Sequence, residues 1–517
     1  MKKVLTLFLI IIIQNFLLLS QTAYQRLDLE ILDKYIENAR NEWQIPGLSI
    51  AIVINDTIIL ARGYGIRDIN DKNPVDENTL YAIASNTKAF TASALAILVD
   101  EGKISWDDRV KDHLPWFELY DPYVSNEMRI RDLLCHRSGL ETFSGDLLWY
   151  GTTYSRQEVI KRAKHLSPAY GFRYHYGYSN IMFLTAGEII PAVEKISWDE
   201  FLKKSFFDPL GMSRTTTTIR NLANLGNVAQ PHYVDMETGK TVTIPYVNWD
   251  NIGPAGSINS SVSDMTQWIK FQLNEGKWDG QTIISERNIW EMRTIHNFQQ
   301  IGKNRGNYQP NWHFRGYGLG WSVRDYRGEI VISHGGGADG MISQVTMVPE
   351  EHFGFVILTN SNNYLPSALS EYILDLYFEG SARDYSRMYL DSYNLQQENN
   401  MKEEKEFSSN RIKGTLPSLE LQEYTGLYGG EMYGDTEVLL EDNQLIIKFK
   451  PTPIFTGTLT HWHFDIFRIR LKDIPSLPEG TVQFVIAPDG SVEEMKIDIQ
   501  NPDFDFTELE FKRKKSH

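Results

Sequence analysis

Apolar and polar positions alternate in distinct ways along this chain. Leu27–Trp43 spaces Leu29, Ile31, Leu32, Tyr35 and Ile36 at helical intervals and stops before Pro46-Gly47, which predicts an amphipathic helix. Leu48–Ile54 and Ile58–Ala61 are β-branched runs on either side of Asn55-Asp56, a hairpin pattern with both strands covered on both faces. A short apolar run, Leu80 to Ala84, leads into Ala- and Leu-rich sequence that begins near Ser85 and stops at Gly102, predicting a buried helix. Residues 103–200 are mostly helical and loop-rich, with apolar helices at Ile181–Ile190 and near Trp198–Phe207. Ser261-Val262-Ser263-Asp264 starts a helix at Met265–Leu273 in the manner of a capping box. Tyr317–Val323, Ile330–Ser333, Met341–Val348 and Phe353–Thr359 predict antiparallel strands separated by Gly-rich turns, with Ser367–Tyr377 as a helix packed on them.

An early hairpin, a helical middle and late strands predict an α/β sandwich whose chain ends rejoin in one antiparallel sheet. After Gly380 the pattern changes. Arg383–Ser409 is charged and polar, a linker or an exposed helix. Beyond Leu421 short strands follow one another, which predicts a small β-barrel or sandwich. The expected organisation is residues 24–380, a linker over 381–420, and a β domain over 421–517.

The first residues, Met1-Lys2-Lys3 and the apolar run Val4–Leu19, predict a secretory signal over residues 1–20, with an uncleaved anchor as the alternative. Cys135 is the only cysteine, so there is no intrachain disulfide and no cysteine metal site. Export without disulfides suits a bacterial periplasm or surface. A net charge of −16 argues against nucleic acid or an anionic membrane as the main partner.

The chemistry centres on Ser85-Asn86-Thr87-Lys88. Residues three apart share a helix face, so the Ser85 hydroxyl and the Lys88 amine meet one turn apart in an apolar setting. A free lysine titrates near 10.4, whereas a base acting near neutrality needs a value of about 7–8, a shift that burial supplies. Tyrosine two residues before asparagine occurs at Tyr178-Ser179-Asn180 and at Tyr246-Val247-Asn248; the first leads into an apolar helix that would hold it rigidly. His334-Gly335-Gly336-Gly337 follows a strand, and glycines there let backbone approach a ligand. The alternative is a plain turn with a structural histidine. His461-Trp462-His463 has no third ligand nearby, and neither H-E-x-x-H nor G-x-S-x-G occurs. His136 fits a packed, hydrogen-bonded residue beneath the site.

In order along Ile45–Thr359, Pro46-Gly47-Leu48, Ser85–Lys88, Leu133–Leu140, Tyr178–Asn180, Pro209–Met212 and His334–Gly336 resemble the class C β-lactamase and penicillin-binding-protein family of serine hydrolases. The resemblance implies an α/β sandwich of the β-lactamase/transpeptidase type with a helical subdomain, followed here by the all-β domain. It also implies Ser85 as acylated nucleophile, Lys88 as proton acceptor or polariser and Tyr178 as general base and acid. Asn180, His334 and Gly336 would meet substrate, the Ser85 and Gly337 N–H groups would form the oxyanion hole, and neither cofactor nor metal is required. True β-lactamases usually carry lysine where this chain has His334, so the resemblance points to a peptidase, amidase or esterase with weak or no β-lactam hydrolysis. A true β-lactamase or D-alanyl carboxypeptidase is the nearer alternative. A non-catalytic sensor of peptidoglycan or of a partner is the more distant one.

Overall fold

Gly47–Ile54 (β1, GLSIAIVI) is buried along its whole length, and its alternating side chains feed two different cores. Ile50 and Ile52 join one, Ala51 and Val53 the other, as a two-residue period on a doubly covered strand requires. The computed structural model describes residues 27–515 apart from 236–237, 303–311, 473 and 475, so the signal segment lies outside the described residues.

Leu29–Glu42 (α1) is capped by the Asp28 carboxylate and buries Leu32, Ile36 and Ala39. Asn55 and Asp56 both take positive φ in the turn to Thr57–Gly65 (β2), as a tight hairpin demands. β2 differs from expectation. It is the edge of the sheet, paired only with β1, and most of it is partly or fully exposed.

Thr87–Asp100 (α2), Asn180–Glu194 (α3) and Val262–Leu273 (α4) form the centre of the helical layer. α2 is buried on nearly every face, which explains its lack of a polar stripe. Asn297–Gln299 (β3), Arg315–Tyr317 (β4), Ser322–Tyr326 (β5), Glu329–Ala338 (β6), Met341–Val348 (β7) and Phe353–Thr359 (β8) complete an eight-stranded sheet of order β2-β1-β8-β7-β6-β5-β4-β3. β1 pairs with β8, so the two ends of the domain meet inside the sheet, one strand in from its β2 edge. Leu365–Glu379 (α5) packs with α1 on the face opposite α2 and α4.

Two strand expectations are corrected. Tyr317–Val323 is not continuous, because the chain turns between Tyr317 and Ser322. Gly320 sits in that turn at φ +80°, and a Cβ there would lie 2.9 Å from the Lys88 carbonyl oxygen. The second correction concerns residues 335–337, which are not a turn. β6 runs through them in ladder with β7, Gly336 opposite Ser343 and Gly337 opposite Ile342.

Tyr385–Ser409 (α6) occupies the charged stretch as a 25-residue helix with only Tyr385 and Ser386 buried. Beyond it eight antiparallel strands close on themselves, from Gly426–Gly430 (β9) to Phe511–Arg513 (β16). The ladder between β9 and β16 makes the closure, and Val438, Ile447, Val482 and Phe511 are among the fully buried residues of its core. In this barrel His461 bonds the Phe464 carbonyl and His463 the Ile412 N–H, on either side of a register shift. No helix among the described residues is long and apolar enough to cross a membrane.

Candidate active site

The approach to Ser85 is a strained turn. Tyr81–Ala82 pairs with Asn259–Ser260, and the chain then tightens into a 3-10 turn, Ala84–Asn86, that runs into α2. Ala84 takes φ +46°, a region costly for a residue with a Cβ. The Ile83 N–H on the Ile258 carbonyl and the Asn86 N–H on the Ile83 carbonyl hold it there. Ser85 is left half-buried at the mouth of α2.

Lys88, one turn along, is fully buried. Its Nζ lies 3.0 Å from Ser85 Oγ, 2.7 Å from Asn180 Oδ1 and 2.9 Å from the Ala255 carbonyl oxygen. Burial pulls its pKa down to about 7, while the Asp146 charge works in the opposite direction. A neutral amine has two N–H bonds and one lone pair. Asn180 Oδ1 and the Ala255 carbonyl accept the two N–H bonds, which leaves the lone pair for the Ser85 hydroxyl.

Asn180 opens α3, next to the Ser179 cap. Its Nδ2 donates to Asp146 Oδ2 at 2.7 Å, and Asp146 Oδ1 accepts from Trp149 Nε1 at 2.8 Å. The buried Asp146 carboxyl is pushed up to about 7 by burial, against its hydrogen bonds and Lys88. Tyr178 is hydrogen-bonded to Ser85, and Lys88 Nζ lies 4.7 Å from its ring centre. Burial raises this phenol well above its usual range, so it stays protonated at neutral pH. Below it His136 stacks at 4.2 Å and accepts the Ser179 N–H on Nδ1, with burial keeping the imidazole neutral.

The strand β6 passes along the Ser85 turn. A Cβ on Gly336 would meet the Ile83 carbonyl oxygen at 2.2 Å and the Ser85 nitrogen at 3.0 Å, so only glycine allows this approach. Gly337 is exposed, with nothing nearer its Cβ position than Ile342 Cδ1 at 3.6 Å. His334 is buried and both its nitrogens are taken: Nε2 meets Tyr317 Oη at 2.7 Å and Nδ1 the Gly335 carbonyl at 2.6 Å. Burial, and then the Lys88 charge, hold its pKa down to about 3, so it presents no cation.

The structure thus brings Ser85, Lys88, Tyr178 and Asn180 together, with Gly336 against Ser85, Gly337 next to it in the strand and His334 braced behind. Tyr246, the other candidate of its motif, bonds the Ala229 carbonyl instead. Sequence reasoning missed Asp146, Tyr317 and a residue of the barrel, Glu508. The Glu508 carboxylate accepts Ser144 Oγ at 2.5 Å and the Gly145 N–H at 2.9 Å, immediately before Asp146. The Phe143 N–H in the same strip donates to the Tyr178 carbonyl at 2.8 Å. The one local sign of this role is Gly145, which takes φ +79° ahead of Asp146.

A family model described as Beta-lactamase matches residues 32–378, and one described as a domain of unknown function, DUF3471, matches residues 410–513. An unguisins hydrolase, ungD′ of Aspergillus campestris, is 26% identical over 485 residues, covering 88% of this chain and 86% of its own. Protein flp of Staphylococcus aureus is 30% identical over 343 residues, 65% of this chain and 64% of that one. Among solved structures, the octameric penicillin-binding protein homologue from Pyrococcus abyssi has the same fold. Its TM-score is 0.62 at 22% identity, over 94% of this chain and 99% of that one.

Proposed function

This chain belongs to the β-lactamase family, and we propose that it is an exported serine hydrolase that cleaves amide or ester bonds of small peptide-like substrates through an acyl-enzyme on Ser85. The observation that carries the reading is the environment of Lys88: two carbonyl-type acceptors and one hydroxyl around a buried amine whose pKa falls to about 7.

In this mechanism neutral Lys88 takes the Ser85 proton as Oγ attacks the substrate carbonyl carbon. The carbonyl π electrons move onto oxygen, which the N–H groups of Ser85 and Gly337 receive. The carbon–leaving-group bond then breaks, Tyr178 gives its proton to the leaving atom, and the Lys88 proton replaces it. Tyr178 acts as a relay in this scheme and never as a phenolate base, since burial keeps it protonated. Water repeats the sequence in reverse to free the acid and Ser85.

The unguisins hydrolase covers too much of this chain to leave out the barrel, which favours a hydrolase built from both parts. His334 weighs against efficient β-lactam hydrolysis, because a neutral, doubly engaged imidazole offers no charge to a substrate carboxylate. Export rests on the basic and then apolar start of the chain, residues 1–20.

The test is labelling of the full-length protein by a fluorophosphonate or penicillin-type probe, with the adduct located by mass spectrometry. An adduct on Ser85, absent from Ser85→Ala, together with turnover of p-nitrophenyl esters or D-amino-acid amides above nitrocefin, is the expected result. A folded protein that takes no label and turns over none of the panel would defeat the proposal.

A further inference from the structure

Between the hydrolase domain and the barrel lies a cavity of about 690 Å³, well inside the range of about 300–1,000 Å³ that encloses a drug-sized ligand. Its walls come from the strip Tyr150–Arg156, the segment Ile244–Asn251, Arg220 and Asp339, and Ile454, Ile474 and Ser476 of the barrel. The apolar lining includes Tyr150, Tyr246, Val247, Ile454 and Ile474.

A smaller hollow adjoins it. Tyr246, Val247, Asp250 and Asp339 line both, and the hollow is closed on its other side by Ala82, Gly256 and Ala338. Those residues belong to the catalytic surroundings. Ala82 ends the strand that leads to Ser85, Gly256 lies against the Ala84 backbone, and Ala338 follows Gly337. The large cavity is therefore continuous in its walls with the nucleophile's neighbourhood.

Neither space is lined by Tyr178, His334 or Tyr317. Ser85 and Lys88 are absent from both linings too, and the hollow meets the site at Ala338, next to Gly337. In the proposed mechanism the leaving atom sits at Tyr178, so the acyl chain is the part of the substrate that runs past Gly337 toward Ala338 and this cavity. At the junction Asp339 Oδ2 accepts from Tyr150 Oη at 2.9 Å, and Thr152, Thr153 and Asn248 add polar groups farther in. The arginines of the wall are already paired: Arg220 Nε with Asp250 of the wall at 2.8 Å, and Arg156 with Asp199 outside it at 3.0 Å.

We infer that this cavity, built jointly by the two domains, is the acyl-side subsite and takes a peptidyl acyl group with an aromatic or branched side chain. Aromatic and aliphatic walls bury that side chain, and the Asp339 carboxylate accepts from the amide N–H groups of the peptidyl backbone. A bare acetyl group would leave the space unused. The inference rests on the hydrolase reading above for the direction in which substrate lies.

The experiment compares full-length wild type with Val247→Trp, which narrows the junction, and Ile454→Trp, which fills the barrel side. Substrates are p-nitrophenyl acetate and the p-nitrophenyl ester of an N-acetylated aromatic dipeptide. The expected result is a fall of about tenfold or more in kcat/KM for the dipeptidyl ester in both variants, with the acetate rate unchanged. Equal losses on the two esters, or none, would overturn the inference. A second arm measures binding of the dipeptide amide to Ser85→Ala by calorimetry, with and without Val247→Trp, and expects the tryptophan to weaken it about tenfold. If wild type cleaves neither ester, the hydrolase reading fails while this binding arm still decides the cavity; equal affinity in the two proteins rejects it.

Discussion

Lys88 and Asp146 are joined through a single carboxamide: Asn180 accepts from Nζ at 2.7 Å on one side and donates to the Asp146 carboxylate at 2.7 Å on the other. Burial drives the two groups toward each other, the amine down and the acid up, until both titrate near 7.

The pH–rate profile should show it. With Lys88 as base, kcat/KM for a p-nitrophenyl ester rises through about pH 7 as the amine loses its proton. The Asp146 charge raises the Lys88 value, so Asp146→Asn should move this limb toward acid. It should also lower kcat, because an asparagine offers one acceptor where Trp149 and Asn180 need two. A limb that stays in place would disconnect Asp146 from the base.

Stability carries the same signature. Between about pH 7 and 10 the unfolded chain holds a proton on Lys88 and the native one does not, so native stability rises with pH by about 1.4 kcal/mol per unit. Below that window both states are protonated and this contribution is flat. In Lys88→Met the slope is absent. Denaturant melts of both proteins at pH 7, 8 and 9 measure the difference, which should favour wild type increasingly as pH rises.

Gly336 and Gly337 are adjacent yet should respond in opposite ways to alanine. A methyl at 336 meets the Ile83 carbonyl and the Ser343 hydroxyl at 2.2 and 2.4 Å, so the Ser85 turn or the strand must shift. Gly336→Ala should cost about 1–3 kcal/mol and most of the activity. Gly337→Ala keeps its N–H and has room, so it should remain active within severalfold. Thermal melts and ester turnover of the two variants decide.

Glu508 holds the strip that carries Asp146, and a positioning role for it predicts an effect on the rate as well as on stability. Glu508→Ala leaves the Ser144 hydroxyl and the Gly145 N–H without their acceptor, at a cost of about 1–3 kcal/mol. Its kcat should fall on p-nitrophenyl acetate while KM holds, with the ascending pH limb displaced. Glu508→Gln keeps one acceptor oxygen for Gly145 and should restore part of the rate. A stability loss with kcat and pH limb untouched would reduce Glu508 to scaffolding.

Much of this site could be read from the residues because its parts are local. Ser85 and Lys88 share a helical turn, Tyr178 and Asn180 precede an apolar helix, and the barrel shows as strand after strand. What escaped is non-local. Asp146 has no motif and owes its role to Asn180, 34 positions away, and Glu508 lies 363 positions from the N–H it accepts. The glycines of β6 looked like a turn by composition, yet with β5 ending its ladder at Ser333 that stretch of β6 pairs only with β7. The open flank has room for backbone alone, against Ser85. Likewise the break after Tyr317 is imposed by α2 pressing on Gly320, which no periodicity in the strand itself can announce.

The barrel grips the strip 144–162 at several well-spaced points: Glu508 on Ser144 and Gly145, the Pro451 carbonyl on Thr153, the Tyr433 carbonyl on Tyr154 and the Met432 carbonyl on Arg162. A rigid body fastened so widely has no axis left about which to swing freely. Any tilt must either tear these fastenings or haul the strip along, and with it the carboxylate that steadies Asn180. The appended domain is thereby tied through Asp146 and Asn180 to the Lys88 amine, and a pull on the barrel would reach the base of the proposed mechanism.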